Sequence, residues 1–265
     1  MRYGLGVVIG KFLPPHAGHH FLIDTALEQA DVIEVIICAK PSDPYSGSLR
    51  ASWLRERHPA AAVRVIDDRY DENDSKVWAQ NTIHWLGRAP DVVFTSESYG
   101  DAYSAFMGCK HVCVDMARNI FPTSGTQVRE NPYKQWDYLS PAVRAHFAKR
   151  ICVVGAESTG TTTLALDIAE KLNTVCVPEY GREYCEIKNR KGVAPDNWTD
   201  DEFLHIATEQ SRRETEAARQ ANRFLICDTN AFATTLWQRR YLHRACPNTR
   251  SSERRRSLEL KTKEA

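Results

Sequence analysis

His16 and His19 are separated by two residues in "GKFLPPHAGHHFLI", residues 10–23, with Gly18 between them. Two imidazoles where a strand gives way to a helix N-terminus suit a polyphosphate, because free backbone N–H groups face the anion and the rings can donate to its oxygens. Gly18 would let a phosphate come close to the backbone. Far downstream, "PTSGTQVR", residues 122–129, groups Ser124, Gly125 and Thr126 as a cap cluster opening a helix, with Arg129 at the same end. Its hydroxyls, backbone N–H groups and guanidinium could converge on phosphate oxygens. A third stretch, "GAESTGTTTL", residues 155–164, has the glycine spacing of the phosphate loop G-x-x-x-x-G-K-[ST]. Thr161 stands where that pattern has lysine, and Thr162 keeps the hydroxyl that such a loop offers to Mg²⁺. Asp228 closes the apolar run "FLICD", where the magnesium-linked or base carboxylate of a kinase would sit.

These residues need rigid elements behind them. Apolar runs predict strands at Tyr3 to Ile9, Val32 to Ala39, Val63 to Ile66 and Val92 to Thr95. Helical patterns lie between them, from Gly18 to Ala30, Leu49 to Arg57 and Ser75 to Leu86. Alternating strand and helix argues for a parallel α/β sheet, whose ligands bind outside the carboxyl ends of the strands. The polar, proline-punctuated stretch "ENPYKQWDYLSPAVRAHFAKR" reads as a connector. A second α/β unit then begins with a strand at Arg150 to Val154, continues into a helix from Thr163 to Leu172, and contains a buried strand at Phe224 to Cys227. The stretch 243–265, with seven basic and three acidic residues and no periodicity, reads as disordered.

Composition excludes several classes. The chain has 265 residues, 42% of them hydrophobic and 26% charged, which is ordinary for a globular protein with a real core. A net charge of +1 gives no broad surface for polyanions. The apolar run at Leu5 to Gly10 is too short for a signal peptide, and no stretch approaches the roughly 20 residues that span a bilayer. Cys38, Cys152 and Cys227 lie in strand-like runs and read as buried free thiols. Cys109 and Cys113 form no metal knuckle. A cytoplasmic protein without membrane contact is expected.

In this order and on this fold, the first two motifs resemble the nucleotidyltransferase superfamily, with its signatures H-x-G-H and S-[SG]-T-x-x-R. "RASWL" (50–54), "VWAQ" (77–80), "TSESYGD" (95–101) and "TSGTQVRENPYKQWDYL" narrow the resemblance. They are similar to the adenylyltransferase domain of the bifunctional nicotinamide-nucleotide adenylyltransferase/ribosylnicotinamide kinase family, over essentially residues 1–242. The resemblance implies a Rossmann-like nucleotidyltransferase domain at 1–145, followed by a truncated P-loop NTPase-like α/β domain at 150–242. It implies transfer of the adenylyl group of ATP to nicotinamide mononucleotide, giving NAD and pyrophosphate. His16, His19, Lys11 and Arg129 would then act on the ATP phosphates. Gly10, Phe12, Gly18, Ser124, Gly125 and Thr126 would complete the ATP site. Trp78, with Trp53 second, would offer a flat partner to the nicotinamide ring, with Arg50 beside them.

In the second domain the implied phosphate loop is Gly155, Glu157, Ser158, Thr159, Gly160, Thr161, Thr162 and Thr163. "PEYGREY" resembles the family's P-E-Y-A-R-E, which brings in Glu179 and Arg182. Thr162 and Asp228 would hold Mg²⁺. Two departures predict a weak or inactive kinase: Thr161 removes the loop cation, and the family pattern stops at about Leu242. Arg182 is the nearest candidate by motif to replace that cation. The family's regulatory members carry a helix-turn-helix before the first strand, whereas this sequence starts directly at that strand, so no DNA binding is expected; a homo-oligomer is left open. The alternative function is a regulatory module that senses NAD or ATP without turnover. A related transferase for an acceptor such as phosphopantetheine is disfavoured by Trp78 and "RASWL".

Overall fold

The computed structural model describes residues 2–71, 73–192 and 197–242. The chain forms two compact units, with the boundary between Val143 and Arg144.

The first unit alternates strand and helix. In order it contains β1 (Tyr3–Gly10), α1 (Ala17–Gln29), β2 (Ala30–Ala39), α2 (Gly47–Arg57) and β3 (Ala62–Asp67). There follow α3 (Ser75–Leu86), β4 (Val92–Thr95), α4 (Gly100–Met107), β5 (Lys110–Cys113) and the short α5 (Gly125–Glu130). The five strands are parallel, in the order β3-β2-β1-β4-β5. β1 therefore has a partner on each side, and its alternate residues feed two cores. Val8 packs with Ile23, Val35, Ile37, Leu54 and Phe94 on one face, and Val7 with Ile36, Ala79, Val93 and Tyr103 on the other. Gly6 is needed in this crowding, since a Cβ there would lie 2.6 Å from Ile33 Cδ1.

The helix starts follow from capping. Ser46 accepts from the Leu49 N–H and opens α2, and Asp74 accepts from the Val77 N–H and opens α3. α1 starts at Ala17 rather than Gly18, because His16 is its extended N-cap residue, and it runs into β2 with no intervening loop. The expected connector is more than a tether: Trp136, Leu139 and Val143 are buried in it. α6 (Pro141–Phe147) spans the boundary between the units.

The second unit comprises β6 (Lys149–Val153), α7 (Thr161–Lys171), β7 (Cys176–Val177), α8 (Tyr180–Arg190), α9 (Asp200–Ala217), β8 (Phe224–Asp228) and α10 (Ala231–Leu242). Its strands are parallel in the order β6-β8-β7, so among the described residues β6 is an edge. That edge position corrects one expectation. Cys38 and Cys227 are buried, but Cys152 on β6 is only part-buried, since no strand covers its outer side. α7 begins two residues earlier than expected, because Gly160, at φ 85°, ends the loop in a conformation that favours glycine and the helix follows at once. α9 opens on a reciprocal cap between Thr199 and Glu202. The basic stretch 243–265 lies outside the described residues.

Candidate functional site

At the carboxyl ends of the first unit's strands lies a cavity of about 600 Å³. It opens where the strand order reverses, between β1 and β4, the position at which open α/β sheets bind ligands. Gly10, Lys11 and Phe12 leave the end of β1, and His16, Gly18 and His19 begin α1. Ser124, Gly125, Thr126 and Arg129 come from α5 and its cap, and Trp78 from α3; all of these residues line the cavity. The two sequence motifs, more than a hundred residues apart, thus share one wall.

The wall is built by specific bonds. The His16 and His19 rings sit 3.8 Å apart, and Phe12 meets His19 edge-on at 5.0 Å. Nδ1 of each histidine is buried without a hydrogen-bond partner. A buried unpaired ring nitrogen is costly in a finished core but is what a cavity awaiting a polar ligand would show. Arg129 donates to the Leu13 carbonyl at 2.5 Å and to Thr126 Oγ1 at 2.9 Å, which ties the downstream motif to the loop after β1. Gly125 permits that approach: a Cβ there would stand 2.9 Å from the Leu13 oxygen.

Burial, then the Arg118 charge, lowers the His16 pKa to about 4. His19 is held well below its usual value by burial, then by His16, His20 and Arg118. Both rings are therefore held toward the neutral form in the free protein, in which each carries one N–H donor and one acceptor nitrogen. Arg118 also lines the cavity and is paired with Glu97 at 3.2 Å. Sequence reading missed it. Its only signal was an arginine six residues before Ser124; a turn in which Asp115 accepts from the backbone of Asn119, Ile120 and Phe121 brings it in. Asp68 was missed too. It ends the β3 wall, with Oδ1 buried and without a hydrogen-bond partner, and Lys40 lies 3.7 Å from its other oxygen.

Two expected residues stand outside the lining. Arg50 is fully buried, donates to the Lys11 and Cys38 carbonyls and pairs with Asp43 at 2.7 Å, so its fork braces the end of β1. Trp53 is 4% exposed and packs near Tyr45. Trp78 is fixed by an Nε1–H bond to the Asp71 carbonyl at 2.9 Å and meets Tyr70 and Trp85 edge-on.

In the second unit Gly155 begins the loop, and its missing side chain leaves room for Thr159 Oγ1 and Thr161 Cγ2, each 2.8 Å from where a Cβ would be. Thr159 donates to the Ala156 carbonyl, and Ser158 lies at φ 62°. Glu157, Ser158, Thr159, Gly160 and Thr163 are exposed. Thr162 Oγ1 donates to Asp228 Oδ2 at 2.7 Å and accepts from Arg182 at 3.3 Å. Glu179 lies 3.9 Å from Arg182, and burial, then Asp228, raises its carboxyl pKa. Thr162, Arg182, Glu179 and Asp228 thus meet at the head of α7. The Thr162 hydroxyl and the Asp228 carboxylate are adjacent hard oxygen donors. They fit Mg²⁺, which takes one or two carboxylates and fills its other positions with water and phosphate oxygens.

Residues 150–260 match an AAA domain family. Over 268 residues the chain is 28% identical to the trifunctional NAD biosynthesis/regulator protein NadR of Escherichia coli strain K12, covering 92% of this chain. The protein of that name from Salmonella typhimurium strain LT2 is 28% identical over 267 residues. The chain is a homologue of the NadR proteins. It spans 64% of the length of these two relatives. A nicotinamide-nucleotide adenylyltransferase of Pyrobaculum neutrophilum is 27% identical over 148 residues, which is 51% of this chain and 71% of that protein. The fold is that of a NadR crystal structure in complex with NR, at a TM-score of 0.74 and 21% identity, covering 98% of this chain and 75% of the other. A NadR complex with NAD and AMP-PNP gives 0.70 and 22%, covering 99% and 78%. Among the described residues no helix is long and apolar enough to cross a membrane.

Proposed function

We propose that the first unit transfers the adenylyl group of ATP to nicotinamide mononucleotide, forming NAD and pyrophosphate. The observation that carries this reading is the convergence of His16, His19, Arg118, Arg129 and Trp78 on one cavity. The acceptor's 5′-phosphate is already an anionic nucleophile, so the protein need supply no strong base and no covalent intermediate. It must hold that phosphate in line with the α-phosphorus and stabilise the charge that develops. His19, held toward its neutral form, donates to the α-phosphate oxygens as they gain charge, and His16 holds its neighbours. Arg118, Arg129 and Lys11 offset the triphosphate charge, and Ser124 and Thr126 hold its far end. Trp78, locked by Asp71, offers a face to the cationic nicotinamide ring. Mg²⁺ bound with ATP supplies charge neutralisation on the phosphates.

The second unit, in this reading, binds Mg–ATP phosphates on its loop but phosphorylates nicotinamide riboside poorly. Thr161 removes the lysine that the loop itself would bring to the transferred phosphate. Transfer of this kind depends on how a cation is positioned as well as on its charge, so a cation reaching in from elsewhere serves binding better than transfer. Two incubations test both halves. The full chain with ATP, Mg²⁺ and nicotinamide mononucleotide should yield NAD and pyrophosphate in equal amounts. Tight NAD binding with no product would instead support a sensor. With nicotinamide riboside as acceptor, robust mononucleotide formation that Asp228→Ala abolishes would overturn the reading of the second unit.

A further inference from the structure

The loop of the second unit is short of positive charge. Residue 161, where a phosphate loop carries lysine, is a threonine, while Glu157, Glu179 and Asp228 bring carboxylates to the loop and the head of α7. A triphosphate placed there would meet three acidic side chains. Two side-chain cations are bonded to this region among the described residues. Arg240, from α10, pairs with Glu157 at 3.7 Å and lies over the Trp237 ring. Arg182, from the first turn of α8, donates to Thr162 Oγ1 at 3.3 Å.

Their positions differ in consequence. Arg240 is engaged with the start of the loop, by a carboxylate that it neutralises. Arg182 reaches the hydroxyl at the helix end of the loop, one residue beyond the vacant lysine position, and that same hydroxyl donates to Asp228. A guanidinium there lies within side-chain reach of the phosphate oxygens that a lysine at residue 161 would contact. It is also well suited to them, since its planar fork binds two phosphate oxygens at once. Arg182 is largely solvent-exposed, and its ion pair with Glu179 is long, at 3.9 Å. Swinging onto a phosphate would thus cost it little.

We propose that Arg182 supplies from α8 the phosphate-binding cation that Thr161 removes from the loop. This rests on the reading of that loop as a nucleotide-phosphate cradle. The pairing predicts a specific interdependence: a lysine at residue 161 should make Arg182 dispensable.

Hydrogen exchange on the full chain reads this locally, because peptides covering 155–163 report the second unit and peptides covering 122–129 report the first. With Mg²⁺ and a non-hydrolysable ATP analogue, the loop peptides of the unmodified chain should become protected with a definite half-saturation. Arg182→Gln should raise that half-saturation roughly 10- to 100-fold, the usual effect of losing a charge-assisted phosphate contact. Arg182→Lys should fall between the two, and Thr161→Lys combined with Arg182→Gln should return to within about threefold of the unmodified chain. The proposal is overturned if Arg182→Gln changes nothing, if Arg240→Gln produces the loss in its place, or if Thr161→Lys fails to restore binding. The last result would mean that Arg182 only shapes the loop. Absence of loop protection at every analogue concentration would sink the phosphate-cradle reading as well, while protection at 122–129 would still report the first site.

Discussion

Each unit places a glycine-bearing loop after its first strand, yet the two surround that strand differently. β1 has β2 on one side and β4 on the other, so chain order reverses beside it and a crevice opens at the carboxyl ends. β6 has β8 on one side and no strand on the other among the described residues, so its loop stands at an edge. Burial follows the same contrast. Val7, Val8, Ile36 and Phe94 around β1 are 0% exposed, and so are Leu225 and Ile226 on β8, but beside the second loop Val154, Leu164 and Leu166 are each more than half exposed. A phosphate loop is a local feature that a sequence keeps easily, but the walls that make it a site come from strands on both sides.

The contrast is most sharply tested in the first unit's core. Ile36→Ala on β2 should cost about 2–5 kcal/mol, because it opens a cavity between fully covered neighbours. Urea unfolding followed by first-unit hydrogen exchange measures this. Next, His19→Ala should lower kcat about 10²–10³-fold and weaken ATP binding far less, since in the proposed reaction this ring acts on charge that forms only during transfer. Near-normal turnover would remove His19 from the chemistry.

The two units should also part company as pH falls. The pKa values of His16 and His20 are lowered to about 4 and about 3, by burial first, from an unfolded value near 6.5. Between these limits the unfolded chain binds more protons, so the stability present above pH 6.5 is lost as pH falls toward 4. A loss of roughly 2–3 kcal/mol in the first unit is expected, given that each pKa unit corresponds to about 1.4 kcal/mol and that relaxation returns part of it. In the second unit Glu209 is lowered to about 2 by Arg212 and Arg213, so its pairing persists until well below pH 4.5. Hydrogen exchange at pH 7 and pH 5 should therefore show β1 weakening while β6 stays nearly constant. Equal weakening in both would contradict the assignment.

Trp78→Ala should raise KM for nicotinamide mononucleotide by about 5- to 30-fold, the equivalent of roughly 1–2 kcal/mol, with ATP affinity nearly unchanged. A fall in ATP affinity instead would place Trp78 elsewhere in the site.

How much of this was legible depended on how local the cause was. Parallel strands buried on both faces leave nearly continuous apolar runs, so "VIEVIICA", interrupted only by Glu34, announced β2. β5, an edge of four residues, and β7, of two, leave no such run, and neither is visible in the sequence. The cavity motifs were readable because each is a loop joined to a helix start. Arg118 was not, because a turn closed by Asp115 delivers it from outside any motif. Arg50 shows the opposite limit. Its place in "RASWL" suggested a ligand contact, but sequence cannot show that its guanidinium turns inward onto the Lys11 and Cys38 carbonyls.

The smallest expected effect probes the second unit directly. Leu166 on α7 is 55% exposed, so Leu166→Ala removes side-chain area that water already reaches. The change should lie within about 0.5 kcal/mol of zero, as for surface positions generally, despite the same chemical truncation that is costly in a core. Leu225 on β8, 0% exposed, is the internal control, and Leu225→Ala should cost several times more. A Leu166→Ala loss as large as that of Leu225→Ala would mean the outer face of α7 is covered in solution, by a second copy or by chain outside the described residues. Repeating the measurement across protein concentrations separates the two: a loss that grows with concentration belongs to association, and a constant one to the chain itself.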